Sequence, residues 1–448
     1  MSQLIISVSG LRGIVGETLT PEVAANYVLA FAQELPSGPL VVAHDGRESG
    51  PALVAVVRSA IQALGRDCLD AGVAATPTVG VLVRHLTAAG GIQISASHNP
   101  PMYNGIKLFD SSGRVIPAPV GQRVLERYRR GEYQNQPATP PGSCERLTDT
   151  TSAHLNRVLA TCDVELIRSC KFRVLVDPNH GSGSVLAVPL LEALGCEMTL
   201  LGGTPDGRFA HSPEPTFENL QTVLEQVRAT KAAVGFCQDP DADRLAVIDE
   251  HGRYVGEEFT LALVANHVLS QNPGPVVTNC STSRMTQDLA AKHGVPFFRS
   301  KVGEANVVDL MLAQNAVLGG EGNGGVIDPR VGLVRDSFVG MALVLDAMTK
   351  RELPLSKLAD ELPRYAIHKA KAALPAEQLA ESFSSLECHF ADATSDRLDG
   401  LRLDWPDKWL LIRGSNTEPI VRIFAEAPTA AEAEQLCREA ERVIGESV

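Results

Sequence analysis

Three aspartates alternate in QDPDADR (238–244), between the apolar runs AAVGF and LAVI. Asp239, Asp241 and Asp243 fall within five residues, and carboxylates that close repel one another unless a cation sits among them. All-oxygen ligation selects a hard ion, Mg²⁺ or Ca²⁺, over zinc or copper. An EF-hand loop would also start D-x-D-x-D and would reach Glu250 at its twelfth position. Its sixth position requires glycine, however, and here it is Arg244. A solvated acidic turn is the plainer alternative, but such a turn seldom packs three acids between buried strands.

A second loop, in GIQISASHNPPMYNGIKLF (91–109), follows an apolar strand-like run and leads into another that carries Lys107. A serine exposed beyond a strand, beside His98 and with a lysine in reach, has the parts of an activated nucleophile or phosphate carrier. Ser95 continues the strand alternation from Gln93, whereas Ser97 sits where the loop has begun, so Ser97 is the candidate. Taken alone, a Ser or Asx turn at a strand end explains this stretch as well. SVSGLRGIVG, with Ser9, Arg12 and Gly13, forms a further Gly-flanked arginine loop that a plain turn would also explain.

VLGGEGNGGVIDP (317–329) places Glu321 and Asn323 among glycines, which let a backbone approach a ligand while the two side chains supply directed acceptors and donors for hydroxyls. LLIRGSNTEPIVRIF (410–424) carries Arg413, Ser415, Asn416, Thr417 and Arg422 between two apolar runs. Guanidinium, hydroxyl and loop N–H groups converging on one point make a phosphate cradle. A structural glycine turn and a hairpin with surface arginines are the respective alternatives. Together the four loops predict phosphoryl transfer on a phosphorylated polyol or sugar, with Mg²⁺ offsetting charge on the moving group. Neither a Walker loop nor the kinase glycine set is present, so a nucleotide need not be the donor.

Rigid elements must hold these loops. Residues 39–72, 171–202 and 274–303 share one order: apolar run, polar Gly/Ser/Asn turn, amphipathic stretch, glycine, second apolar run. That grammar predicts three strand–helix–strand units, with Gly65, Gly195 and Gly294 at the helix ends. Residues 408–427 break it, reading strand, turn, strand, and the helix that follows has Thr429 and Glu432 at capping-box spacing. The expected boundaries are 1–150, 151–251, 252–364 and 365–448, one loop to each unit, with YQNQPATPPGSCERL (133–147) as a Pro-rich connection. A chain of 448 residues suits several domains. Its net charge of −13 argues against nucleic-acid and membrane-surface partners, so an anionic ligand needs a local cluster of cations. Nine cysteines without a CxxC pair signal neither zinc nor a disulfide framework, and with no leader-like start the expected compartment is the cytoplasm.

SASHNP, DPDADR, GEGNGG and RGSNTEPIVR resemble, in order and spacing over essentially the whole chain, the four loops of the α-D-phosphohexomutase superfamily. The EGNGG and RxSNTEP forms are most similar to its archaeal-type phosphoglucosamine mutase branch. The resemblance implies three related mixed α/β domains and a C-terminal TATA-binding-protein-like α+β domain around a central cleft. It also implies roles. Ser97 would be the phosphoserine and, with Asp239, Asp241 and Asp243, a Mg²⁺ ligand. Arg244 would steady the transferring group, and Lys107, His98 and Arg12 would handle protons and charge at the reacting hydroxyl. Glu321, Asn323 and Lys301 would meet the sugar, and Arg413, Ser415, Asn416, Thr417 and Arg422 the non-reacting phosphate. Many relatives carry a histidine at the end of the sugar loop where this chain has Gly324–Gly325, so proton transfer must rely on other groups.

The implied reaction interconverts hexose 6-phosphate and hexose 1-phosphate, glucosamine phosphate first, through a 1,6-bisphosphate that also serves as activator. The implied enzyme binds a small sugar phosphate as monomer or homodimer. A phosphoglucomutase/phosphomannomutase is the neighbouring alternative. A sugar-phosphate-binding protein without catalysis is the alternative of another class, and metal chelation separates it from an enzyme.

Overall fold

Each repeated segment folds as a strand, a helix and a second strand parallel to the first. In the first unit these are Leu40–His44, Gly50–Ala63 and Cys68–Val73. In the second they are Arg173–Asp177, Ser184–Ala193 and Glu197–Leu200, and in the third Val276–Asn279, Met285–Lys292 and Phe297–Ser300. The chain must reverse within a residue or two of each helix, which only a left-handed residue allows cheaply; Gly65, Gly195 and Gly294 have φ of 72°, 68° and 67°. The structure, a computed structural model, describes residues 4–7, 10–133, 137–414 and 420–446.

Antiparallel neighbours extend each parallel pair into a mixed sheet. The first unit's seven-stranded sheet has Leu40–His44 beside Gly90–Ile94, which pairs antiparallel with Tyr103–Phe109 and through it with Gly10–Ile14. In the second unit Val234–Gln238 pairs antiparallel with Leu245–Asp249, so the aspartate loop is the turn of a hairpin. In the third, Leu318–Glu321 and Gly325–Ile327 form a tighter hairpin around the glycine loop. The C-terminal unit is an antiparallel five-stranded sheet built on Ala366–Ala373, Ile420–Ala427 and Trp409–Gly414. The helices Leu379–His389 and Ala430–Glu446 cover one face of it. Thr429 accepts the Glu432 N–H at 3.3 Å while Glu432 accepts the Thr429 N–H at 3.1 Å, the reciprocal cap that ends the helix cleanly. Three mixed α/β units and one α+β unit are therefore the architecture.

The second and third units share one apolar core, at whose centre the helix Ser337–Arg351 is buried on nearly every side. A helix that is apolar all round is stable only inside a protein. Polar groups at its start are all partnered. Asp336 caps it by accepting from the Phe338 and Val339 N–H groups, and its other oxygen lies 2.7 Å from His154 Nε2. His154 Nδ1 lies 2.9 Å from Thr78 Oγ1, so one buried chain of bonds ties the first three units together. The C-terminal unit has its own core and meets the third unit through a small apolar seam of Cys280, Trp409 and Leu411 and through polar ties, among them Arg299 to Asp404 at 2.8 Å and the Arg284 N–H to Glu426 at 3.0 Å.

Candidate active site

Ser97 stands one turn beyond the strand Gly90–Ile94, with φ 51°, a left-handed conformation that a residue with a side chain adopts only when its surroundings impose it. Arg47 imposes it. Its Nη2 donates to the carbonyls of Ser97 at 2.6 Å and Asn99 at 2.7 Å. Its Nη1 donates to Pro100 at 2.8 Å and Tyr103 at 3.1 Å, and its Nε to Asp45 at 3.0 Å. All five guanidinium N–H groups are thus committed. Ser95 Oγ bridges the same assembly, donating to Asp45 at 2.7 Å and accepting the Ser97 N–H at 2.8 Å. Side chains of the Arg47–Asp45 pair are 1% and 0% exposed. Replacing Arg47 with lysine leaves most of the four carbonyls unpartnered and takes from buried Asp45 its bond to Nε. The expected cost is about 3 kcal/mol or more, read as an earlier thermal transition of the first unit; unchanged melting would contradict the clamp.

The Ser97 hydroxyl donates to Asp239 Oδ2 at 2.6 Å and lies 3.2 Å from His98 Nδ1. Asp239, Asp241 and Asp243 are buried, and one oxygen from each lies within 4.8 Å of the others. The hairpin turn that carries them needs Ala242 at φ 55°. Asp239 Oδ1 accepts the N–H groups of Asp243 and Arg244 at 3.2 and 3.1 Å. Asp241 Oδ2 accepts from Thr76 Oγ1 and Lys107 Nζ, and Asp243 Oδ2 from Lys107 at 2.8 Å and Arg335 at 2.7 Å. One oxygen of Asp241 and one of Asp243 are buried with no hydrogen-bond partner, Arg244 Nε standing 3.9 Å from the latter. Orphaned carboxylate oxygens in an all-oxygen cluster are what a hard divalent cation would satisfy, so the residues fit Mg²⁺.

Charge is crowded here. Burial, then Asp243 and Asp241, push the Asp239 carboxyl well above the usual range. Burial would raise Asp243 too, but Arg335, Lys107 and Arg244 outweigh it and hold that carboxyl low. Burial, followed by Arg244 and Arg12, pulls His98 down to about 2, so its imidazole is neutral. Arg12 is itself lowered by burial and by Arg244. Four cations, Arg12, Lys107, Arg244 and Arg335, therefore surround three aspartates, the local cluster of positive charge that a chain of net charge −13 needs for a phosphate.

The sugar-loop candidates come to the same place. Leu245 N–H donates to the Gly324 carbonyl at 3.2 Å, and a side chain at Gly324 would meet Leu245 O at 2.2 Å, so glycine is what lets this loop lie on the aspartate hairpin. Glu321 is 5% exposed; its Oε1 accepts from Asn279 at 2.7 Å and Gly303 N–H at 3.2 Å, its Oε2 from Arg335 at 2.6 Å. Only its remaining lone pairs are free for a hydroxyl. Asn323 Oδ1 accepts the Gly325 N–H at 3.2 Å. Lys301 is exposed, and the next residue, Val302, donates its N–H to Asp399 at 2.8 Å.

Arg413 and Arg422 are opposite one another across their strands, and Arg422 is opposite Lys371. Directly opposed residues share a face, so three cations form one rung, a repulsive arrangement that an anion relieves. Trp409 and Leu411, which alternate with Arg413, pack in the seam to the third unit, so the rung is on the cleft side. Asp399 Oδ2 pairs with Arg413 at 2.9 Å. Ser415, Asn416 and Thr417, like Ser9, lie outside the described residues.

Sequence reasoning missed Arg47, Asp45, Thr76, Arg335, Glu304, Asp399 and Lys371. An arginine in the Gly-flanked turn HDGRESG could have drawn notice to Arg47; nothing in VGLVRDSF marks Arg335.

Four family models match this chain. Those described as phosphoglucomutase/phosphomannomutase alpha/beta/alpha domains I, II and III match residues 4–135, 152–252 and 257–365, and the C-terminal domain matches 369–443. A phosphoglucomutase/phosphomannomutase of Thermococcus kodakarensis is 37% identical, over 95% of this chain and 95% of its own length. A probable phosphoglucosamine mutase of Methanopyrus kandleri is 34% identical, over 96% and 95%. A phosphoglucosamine/phosphogalactosamine mutase of Sulfurisphaera tokodaii is 30% identical, over 98% and 99%. Among solved structures, a phosphoglucomutase/phosphomannomutase family protein of Burkholderia thailandensis superimposes with a TM-score of 0.84 at 29% identity, covering 99% of this chain and 98% of that one.

Proposed function

Because the chain belongs to the phosphoglucomutase/phosphomannomutase family and is a phosphohexomutase, we propose that it interconverts glucosamine 6-phosphate and glucosamine 1-phosphate by way of a phosphoserine at Ser97. The observation that carries this reading is the Ser97 hydroxyl 2.6 Å from Asp239, beside two carboxylate oxygens that have no hydrogen-bond partner.

In the first half-reaction the sugar's free hydroxyl attacks phosphorus on phospho-Ser97. The new P–O bond forms as the bond to Ser97 Oγ breaks, and the hydroxyl proton leaves to a nearby base. Neutral His98 offers the uncharged nitrogen nearest Ser97, and the bound phosphates, by offsetting Arg244 and Arg12, would raise its low basicity toward that role, whereas Lys107, shared between Asp241 and Asp243, stays charged and steadies the phosphoryl oxygens. Arg12 and Arg244 add positive charge on the same side. Bound Mg²⁺, held by Asp239, Asp241, Asp243 and a phosphoserine oxygen, would supply Lewis-acid neutralisation of the transferring group. The bisphosphate then turns end for end, and Ser97 takes back the other phosphoryl group. Arg413 and Arg422, with Ser415, Asn416 and Thr417, would hold whichever phosphate is not reacting, and Glu321, Asn323 and Lys301 the ring hydroxyls. The C-terminal unit has a core of its own and meets the third through a small apolar seam and polar ties that water can replace, which suits a unit that opens to let the bisphosphate turn.

The amino sugar is favoured by the acid beside the sugar loop. Glu258 lies against Gly322, and burial raises its carboxyl to about 8, a site that a 2-ammonium group would ionise. The relative named for glucose and mannose phosphates supports the second reading. Comparison of kcat/KM for glucosamine, glucose and mannose 1-phosphates, with a hexose 1,6-bisphosphate as activator, decides. A preference of about tenfold or more for the amino sugar is expected; equal or reversed values assign glucose or mannose phosphate. We place the enzyme in the cytoplasm, in keeping with its free cysteines. Among the described residues, no helix is long and apolar enough to cross a membrane.

A further inference from the structure

Arg335 belongs to none of the four loops. It lies between the strand Gly325–Ile327 and the helix Ser337–Arg351, its side chain 9% exposed. Its Nη2 donates to Asp243 Oδ2 at 2.7 Å and its Nη1 to Glu321 Oε2 at 2.6 Å, while Nε is 3.4 Å from Glu304 Oε2. The backbone is pinned as well, because the Arg335 N–H donates to Glu304 Oε1 at 2.8 Å and the next residue, Asp336, caps the helix. We propose that Arg335 is the positioning residue that joins the metal loop to the sugar loop, holding Asp243 and Glu321 with one guanidinium; this rests on the assignment of those two loops above.

Geometry dictates what the bridge does. With Lys107 and Arg335 both on Oδ2, the Asp243 carboxylate cannot rotate without breaking two charged bonds, which leaves Oδ1, with no hydrogen bond and only Arg244 Nε at 3.9 Å, available as a metal ligand. Outer-shell partners of this kind orient ligands and commonly change metal affinity about 10- to 100-fold. At the other end, Asn279 and Gly303 fix one oxygen of Glu321 and Arg335 fixes the second, so its remaining lone pairs have set directions. The two carboxylates compete for one cation. Removing charge from Glu321 lets Arg335 lean onto Asp243 and withdraw electron density from the oxygen pair that the metal needs. Glu321, which is no metal ligand, thereby influences the metal site through Arg335. A lysine would keep the charge but would bring one nitrogen in place of two Nη groups set apart by the guanidinium plane, one for Asp243 and one for Glu321.

The test is a double-mutant cycle on Mn²⁺ binding, measured by titration calorimetry on the full, dephosphorylated protein without sugar. In the Arg335 background, Glu321→Gln is expected to weaken Mn²⁺ roughly 5- to 10-fold, and in the Arg335→Met background by less than about twofold. Through-space loss of the Glu321 charge acts in both backgrounds, so the difference between them isolates the bridge. Equal weakening in the two backgrounds overturns the proposal. Should Arg335→Met fail to fold by circular dichroism, Arg335→Lys takes its place, with the same loss of coupling expected; full coupling in that variant overturns the bridge, since charge alone would then suffice. A wild-type protein that does not bind Mn²⁺ overturns both this proposal and the mutase reading, whereas binding without coupling overturns this proposal alone.

Discussion

Replacing Ser97 with alanine is expected to lower kcat for hexose phosphate interconversion by roughly 10⁴-fold or more, because no other side chain then accepts the phosphoryl group. The fold should survive. The loop is held through backbone carbonyls by Arg47 and through the residue-97 N–H by Ser95, and none of those bonds uses the lost hydroxyl. Only two side-chain bonds disappear, to Asp239 and His98, and Asp239 keeps the Asp243 and Arg244 N–H groups on its other oxygen. Sugar-phosphate binding should therefore stay within about threefold of wild type. Turnover within tenfold of wild type, in protein purified free of other mutases, would remove Ser97 from the mechanism.

Asp239→Asn is expected to reverse the order of stability with and without metal. In a chelator, the wild-type chain keeps three carboxylates in one buried cluster, with Asp239 raised by burial and by its two neighbours. The amide oxygen can still accept the Asp243 and Arg244 N–H groups, and the amide NH₂ can donate to Ser97 Oγ once that hydroxyl turns its proton away, so the variant loses the repulsion and few of the bonds. It should unfold at a higher temperature than wild type, by about 1–3 kcal/mol. The sign of the pH dependence follows. The folded carboxyl titrates above its unfolded value of about 4, so the folded state binds the extra proton and wild-type stability falls as pH rises from there. The gap to the variant should then widen as pH rises above about 4. In millimolar Mg²⁺ the wild type gains binding energy that the variant lacks, and should overtake it. Activity of the variant should be down roughly 10³-fold. A variant less stable than wild type in chelator would show that the triad is not under charge strain.

Legibility of the sequence followed the reach of each interaction. The three strand–helix–strand units were readable because apolar periodicity and a terminal glycine act within a dozen residues, and Gly65, Gly195 and Gly294 took the left-handed turns expected of them. The capping box at Thr429 and Glu432 was readable for the same reason. The four loops stood out because each packs several polar side chains between apolar runs. Arg47 and Arg335 did not stand out, since their partners lie 50 residues away at Ser97 and 92 residues away at Asp243. Spacing along the chain carries no trace of such pairs. Lys371 joined the arginine rung only through strand register, which a turn of undetermined length leaves open. The same limit applies to Glu321. Its place in a glycine loop suggested a free carboxylate, yet Asn279, Gly303 and Arg335 arrive from three other segments and occupy most of it.

The central claim is that Ser97 carries the phosphoryl group between the two ends of the sugar, and phosphopeptide mapping tests it most directly. Purified enzyme is incubated with Mg²⁺ and a hexose 1,6-bisphosphate, quenched in acid, and digested with trypsin. Mass spectrometry should find one phosphoryl group on the peptide between Arg84 and Lys107, located at Ser97 and not Ser95, and a chase with excess hexose monophosphate should redistribute it into bisphosphate. Phosphate at another residue, or none at Ser97 while turnover proceeds, would contradict the account.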